Sequence, residues 1–180
     1  MEKQNIYQDI SARTGGEIYL GVVGPVRSGK STFIKRFMEL LVLPEIKDEN
    51  ERKRTMDELP QSGTGKMVMT TEPKFIPKEA AELPMEDMKI KIRLIDCVGF
   101  MIPGAGGNLE NGQERLVKTP WFDYEVPFTK AAEFGTRKVI RDHSTIGILV
   151  TADGSFGEIP RDSYVEAEKK TVAELNEIGK

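Results

Sequence analysis

One cysteine, one histidine and one tryptophan occur among the 180 residues of this chain. A single cysteine, Cys97, excludes an intrachain disulfide, which suits a reducing compartment. Its expected place is the interior, as a small apolar side chain. One histidine leaves no His/Cys set for a transition-metal site, and His143 is expected at a helix end or on the surface. No apolar run approaches the ~20 residues that cross a bilayer, so no transmembrane segment is expected. Met1-Glu2-Lys3-Gln4 is too polar for a secretory signal and lacks a glycine for myristoylation. The chain is therefore expected in the cytoplasm. Excess positive charge is missing as well: the net charge is −3, which argues against a dedicated nucleic-acid binder. With 38% hydrophobic and 31% charged residues, the composition is that of a folded chain long enough for one domain with its own core.

What is present alternates strands with helices. Residues 5–13 read as a short helix ended by Gly15-Gly16. Glu17–Val23 is apolar, β-branched and bounded by glycine, which predicts a strand. Lys30–Leu43 has helical periodicity through Phe33, Phe37, Leu40 and Leu41, with Pro44 as its stop. Residues 45–66 read as a polar loop with a helical piece at Glu49–Glu58, and Met67–Ile76 as partly extended. Lys89–Val98 alternates and then runs into Ile95-Asp96-Cys97-Val98, the pattern of a strand with one end buried on both faces. Gly99–Phe128 is rich in glycine and proline and is expected to be a long functional loop, with Trp121 anchoring it to the body. A helix over Thr129–Asp142, a strand over Thr145–Thr151, a turn at Asp153-Gly154 and a helix over Arg161–Ile178 complete the pattern. Such alternation implies an α/β fold with a mainly parallel sheet flanked by helices.

One motif carries chemistry. Gly24-Pro25-Val26-Arg27-Ser28-Gly29-Lys30-Ser31 matches G-x-x-x-x-G-K-[ST], between a predicted strand and a predicted helix. Glycines let backbone wrap closely around phosphate. Amides from Val26 to Thr32 would face inward at a helix N-terminus, where the dipole favours anions. Lys30 would neutralise charge between the terminal phosphates, and the Ser31 hydroxyl would ligate Mg²⁺. Downstream, Asp96 ends an apolar strand and Gly99 follows it. This D-x-x-G is the Walker B pattern of GTPase-like proteins, in which Asp96 would hold Mg²⁺ through water and the Gly99 amide would bond the γ-phosphate. Thr70 and Thr71 lie between the two motifs, where a switch threonine ligates Mg²⁺ when the γ-phosphate is present. Phe100 stands where several GTPases keep a water-orienting glutamine. Arg27, inside the loop, reads either as a solvated side chain or as a cation supplied in cis beside the transferring phosphate.

Further segments join these motifs: Gly15–Gly24, Asp57–Ser62, Met69–Phe75, Arg93–Gly99, Thr119–Phe122, Gly135–Ile140 and His143–Gly147. Together they closely resemble the N-terminal region of the stage IV sporulation protein A family, spore-coat morphogenetic ATPases of endospore-forming bacteria. The resemblance covers essentially the whole chain. It implies a P-loop NTPase fold of the translation-factor-related GTPase class that uses ATP rather than GTP. It implies ATP hydrolysis with Mg²⁺ that drives self-assembly into a static polymer. That polymer would be the basement layer of the spore coat, in the mother-cell cytoplasm at the forespore outer membrane. The implied partners are further copies of the protein, other coat proteins and a small amphipathic membrane peptide, stage V sporulation protein M. By motif match, Lys30 corresponds to the family's Walker A lysine, Asp96 to its Walker B aspartate, and Thr70 and Thr71 to its sensor threonines. Family members carry middle and C-terminal domains, so residues 1–180 read as the ATPase domain alone. They would stop before the strand that bears a base-reading Asn-Lys-x-Asp. Two other readings stay open: a GTPase-type switch that binds effectors through 60–76 and 99–128, and a nucleotide-binding structural protein that does not hydrolyse.

Overall fold

The computed structural model describes residues 12, 14–61, 71–85, 88–155 and 159–179. The helix expected over 5–13, apart from Ala12, and the stretch 62–70, which includes Thr70, lie outside them.

A four-stranded sheet forms the centre, in the order β2-β3-β1-β8. Its strands are β1 (Glu17–Val23), β2 (Lys74–Met85), β3 (Met88–Asp96) and β8 (Ile146–Leu149). β1 runs parallel to β3 and β8, and β2 runs antiparallel to β3. Pleating separates the side chains of β1. Ile18, Leu20 and Val22 join Ile34, Met38 and Val42 in one cluster, while Val23 joins Ile95, Val139, Ile140 and Tyr164 in the other. The first cluster lies under α1 (Lys30–Phe37). The second lies under α3 (Phe128–Lys138), its continuation to His143, and α4 (Asp162–Glu177). A further helix, α2 (Glu49–Asp57), is capped by Asp48, whose side chain accepts from the Glu51 amide, one of the donors a helix start leaves open. The layered, mainly parallel α/β architecture agrees with the sequence pattern. Pairing of Val22 with Asp96 brings the loop after β1 and the end of β3 to the same edge.

Three local expectations are corrected. The helix over Lys30–Leu43 is α-helical only to Phe37. It widens to π geometry over Met38–Val42 and tightens to a 3₁₀ turn at Leu43–Glu45. The wider turn rotates less per residue, so Met38 and Val42 face the core while Leu40 and Leu41 are 70% and 56% exposed. Pro44 sits in the first turn of the 3₁₀ segment, where its missing N–H costs nothing. The extended stretch does not stop at Ile76. β2 continues to Met85 through a register break between Ile76 and Ala81, where Pro77 cannot donate to the ladder. Finally, Gly99–Phe128 is not one loop. It contains two antiparallel hairpins, β4 (Leu109–Glu110) with β5 (Gln113–Glu114), and β6 (Leu116–Thr119) with β7 (Phe122–Pro127). The first turns at Asn111-Gly112, both with positive φ, as a two-residue hairpin requires.

Candidate functional site

The site is built where β1 and β3 end. β1 leads straight into Gly24–Gly29, and α1 starts at Lys30 with no side chain capping its first turn. Open amides at a helix start are an anion-binding arrangement. The loop coils through left-handed backbone at Gly24, Arg27 and Gly29. Lys30 is buried, and its Nζ donates to the Pro25 carbonyl at 2.6 Å, which curls the side chain back over its own loop. Burial pushes this ammonium below its ordinary pKa, with Cys97 and Asp96 pulling the other way. Desolvation outweighs the attraction of Asp96, so further negative charge, such as a polyphosphate carries, would favour the ammonium.

Asp96 meets the loop from β3. Ser31 Oγ donates to Asp96 Oδ2 at 2.7 Å. Burial pushes the Asp96 carboxyl above its usual range, while Ser31, Lys30 and Lys74 pull it down. Its second oxygen, Oδ1, is buried without a hydrogen-bond partner, and so is Ser28 Oγ within the loop. An orphaned carboxylate oxygen beside a hydroxyl fits Mg²⁺. That ion takes one or two protein oxygens, keeps several waters and draws the rest of its shell from phosphate. Among the described residues there is no cluster of three or more His, Cys, Asp or Glu that would hold a metal by itself.

Gly99 closes the site from the far side. A Cβ built there would collide with the Gly24 carbonyl oxygen and lie 2.7 Å from Lys30 Nζ, and its φ is +96°, so only glycine fits. Its amide donates to Thr136 Oγ1 on α3 at 3.1 Å. Phe100 is pinned to the loop by two backbone bonds, Val26 N to Phe100 O at 2.8 Å and Phe100 N to Gly24 O at 3.2 Å. The Val26 amide, expected to face phosphate, is therefore committed elsewhere. The Phe100 ring is fully buried, with the Arg137 guanidinium 5.7 Å from its centroid, and offers no polar group to orient water.

The structure thus gathers Lys30, Ser31, Asp96 and Gly99. Thr71 is buried, with its carbonyl against Gly135 of α3. Arg27 is exposed in left-handed backbone. Thr32 is exposed on the first turn of α1. Cys97 is buried and donates to the Val22 carbonyl at 3.5 Å, and burial pushes its thiol up to about 11, so it is not a nucleophile at neutral pH. Trp121 packs on Phe134 and over Gly135, and His143 stacks edge-on against Phe75. Asp153 accepts from the Ser155 amide in a turn. Sequence reasoning missed Thr136. A threonine inside an amphipathic helix gives no sign that it faces a glycine amide from another element.

A glycine-rich turn joining strand to helix, a buried lysine and a hydroxyl facing a strand-end aspartate define a P-loop type of nucleotide-binding domain. Comparison with known proteins narrows the class. The chain belongs to the family described as stage IV sporulation protein A, ATPase domain, whose model matches residues 1–180. It is 56% identical over 181 aligned positions to stage IV sporulation protein A of Bacillus subtilis (strain 168), covering 100% of this chain and 37% of that protein. The Bacillus anthracis protein of the same name is 55% identical with the same coverage. That of Clostridioides difficile (strain 630) is 56% identical over 177 positions, 98% of this chain and 36% of that protein. The chain therefore spans little more than a third of these curated relatives. No solved structure matches it. No helix among the described residues is long and apolar enough to cross a membrane.

Proposed function

We propose that this chain is the motor of a spore-coat protein: it hydrolyses ATP with Mg²⁺, and turnover drives self-assembly of the coat's basement layer around the forespore. The observation that carries the reading is the Lys30–Ser31–Asp96 cluster, with a desolvated ammonium and an unpartnered carboxylate oxygen. The fold class that suits this arrangement is the translation-factor-related GTPase class, here using ATP.

The division of labour follows from the side chains. Amides of Arg27 through Thr32 receive the phosphates. Lys30 moves from the Pro25 carbonyl to the β,γ-bridging region and stabilises charge there. Ser31 and Asp96 would hold Mg²⁺, which neutralises charge developing on the phosphates when bound. Thr70 or Thr71 would add a hydroxyl to that ion when a γ-phosphate is present, and the Gly99 amide would bond that phosphate. Phe100 keeps bulk water away without positioning the attacking one. Arg27, strained and solvent-facing, is free to swing toward the transferring group as a cis cation. The partners on this reading are further copies of the protein, other coat proteins and the membrane peptide stage V sporulation protein M, at the mother-cell face of the forespore outer membrane.

Phosphate release from ATP and GTP, with and without Mg²⁺, tests the enzymatic part. ATP-selective, Mg²⁺-dependent release that Lys30→Ala abolishes is expected; preference for GTP would favour a regulatory switch. For assembly, the test is sedimentation of a protein of the relatives' full length carrying this domain. Pelleting that ignores nucleotide and Lys30→Ala would refute the motor role.

A further inference from the structure

The Gly99 amide has one hydrogen to give, and in this structure Thr136 takes it. Thr136 is fully buried on α3. Its Oγ1 accepts from Gly99 N at 3.1 Å and donates to the Ala132 carbonyl at 2.8 Å, so the hydroxyl is committed on both sides. Gly99 lies against the loop, since an added Cβ would be 2.7 Å from Lys30 Nζ. The chain on either side is held: Phe100 by its two backbone bonds to Gly24 and Val26, and Asp96 by its ladder pairing with Val22. Between these anchors, the peptide that ends at the Gly99 nitrogen can turn at a glycine without moving the chain on either side.

We infer that the Thr136 hydroxyl is a latch that holds the Gly99 amide away from the nucleotide until a γ-phosphate takes it, making Thr136 a positioning residue that sets the preference for tri- over diphosphate. The inference rests on the reading of Lys30, Ser31 and Asp96 as a triphosphate site. A diphosphate has no group to offer the amide, so the amide stays on Thr136. A triphosphate offers an anionic oxygen, a stronger acceptor than a neutral hydroxyl, and the bond is exchanged. The exchange has a route outward. The neighbouring Gly135 is the seat of both the Trp121 ring and the Thr71 carbonyl: a Cβ there would lie 2.8 Å and 2.9 Å from them. Whatever releases Thr136 therefore acts on the helix turn that supports the β6–β7 hairpin and the stretch that holds Thr71.

Removing only the hydroxyl isolates the latch. In Thr136→Val the amide keeps only the Cys97 sulfur, a weak acceptor, in the diphosphate and empty states, and finds a full partner only with a γ-phosphate. A buried donor so poorly paired is costly enough that the ratio of ADP to ATP dissociation constants should rise about five-fold or more. KM for ATP should fall without a matching rise in kcat, and Thr136→Ser should restore the wild-type ratio. In the wild-type chain, the Gly99 amide resonance should move with a non-hydrolysable ATP analogue and Mg²⁺ while staying near its nucleotide-free position with ADP. That measurement decides the matter if Thr136→Val does not fold. An unchanged ratio in folded Thr136→Val, or a Gly99 resonance that responds equally to ADP and the analogue, overturns the latch while leaving the triphosphate site intact. Failure of the wild-type chain to bind either nucleotide overturns both.

Discussion

Ser31 and Asp96, 65 residues apart in sequence, are joined by a 2.7 Å hydrogen bond from Ser31 Oγ to Asp96 Oδ2. The contact follows from register. β1 and β3 run in parallel with Val22 opposite Asp96, so the helix that grows from the loop after β1 sets its first hydroxyl above the end of β3. The pairing satisfies one carboxylate oxygen and leaves the other, Oδ1, buried without a partner. On the proposed reading, that oxygen is the one that would face the cation.

Asp96 is therefore a burden on the nucleotide-free fold. Burial raises its folded pKa above the ordinary 3.8, so the fold favours the protonated form. The stability contribution of such a group is fully present below its unfolded pKa and lost as pH rises through its folded pKa. At pH 7 the charged form costs stability. Asp96→Asn is expected to raise the melting temperature of the nucleotide-free chain by about 2–4 °C, the equivalent of ~1 kcal/mol in a domain of this size. The gain should vanish below the unfolded pKa, and Mg²⁺-dependent turnover should disappear. Differential scanning calorimetry across pH checks this. A lower melting temperature at pH 7 would contradict it.

Gly99→Ala has an opposite signature. The methyl group meets the Gly24 carbonyl oxygen and the Pro25 carbonyl carbon, both backbone, and displaces Lys30 Nζ, all in left-handed backbone. A loss of about 2–3 kcal/mol is expected, with nucleotide affinity lost because Lys30 is displaced from its seat. Thermal melting together with a titration of labelled ATP reads both effects. Wild-type stability would show that the site is looser than the structure indicates.

The clamp between α3 and α4 should respond to acid. Glu174 accepts from Arg137 at 2.8 Å and from Arg141 at 2.8 and 3.0 Å. Partial burial pushes its carboxyl up, but the two arginines outweigh that and hold it below the ordinary 4.5. A lowered folded pKa contributes stability above the unfolded value and loses it as pH falls through the folded one. Glu174→Gln should destabilise the chain by ~1 kcal/mol at pH 7, near the upper end for pairs this exposed. The difference should shrink as pH falls past the ordinary carboxylate value and close only below the lowered folded one. Parallel melting curves from pH 3 to 7 test it, and a pH-independent difference would assign the effect to packing instead.

Much of this was legible in the sequence, for a physical reason. Phosphate binding needs a short contiguous loop at a strand end, so Gly24–Ser31 announces itself locally, and Asp96 stands out as the carboxylate that closes β3 after Leu94-Ile95. What was not legible depends on elements meeting in space or on local geometry overruling composition. Leu40 and Leu41 lie in phase with an ideal helix, but the π turn rotates them into solvent. The glycine and proline content of 99–128 suggested a loop, although Asn111-Gly112 was already a hairpin signal. Thr136 acquires its meaning only when α3 folds back over the end of β3.

Calorimetric titration of ATP with Mg²⁺ into the wild-type and Lys30→Ala chains bears most directly on the central claim that this pocket grips a triphosphate. Saturable one-to-one uptake by the wild type is expected, weakened at least a hundred-fold by the substitution, about 2.7 kcal/mol. Equal binding by both chains, or none by the wild type, would contradict it.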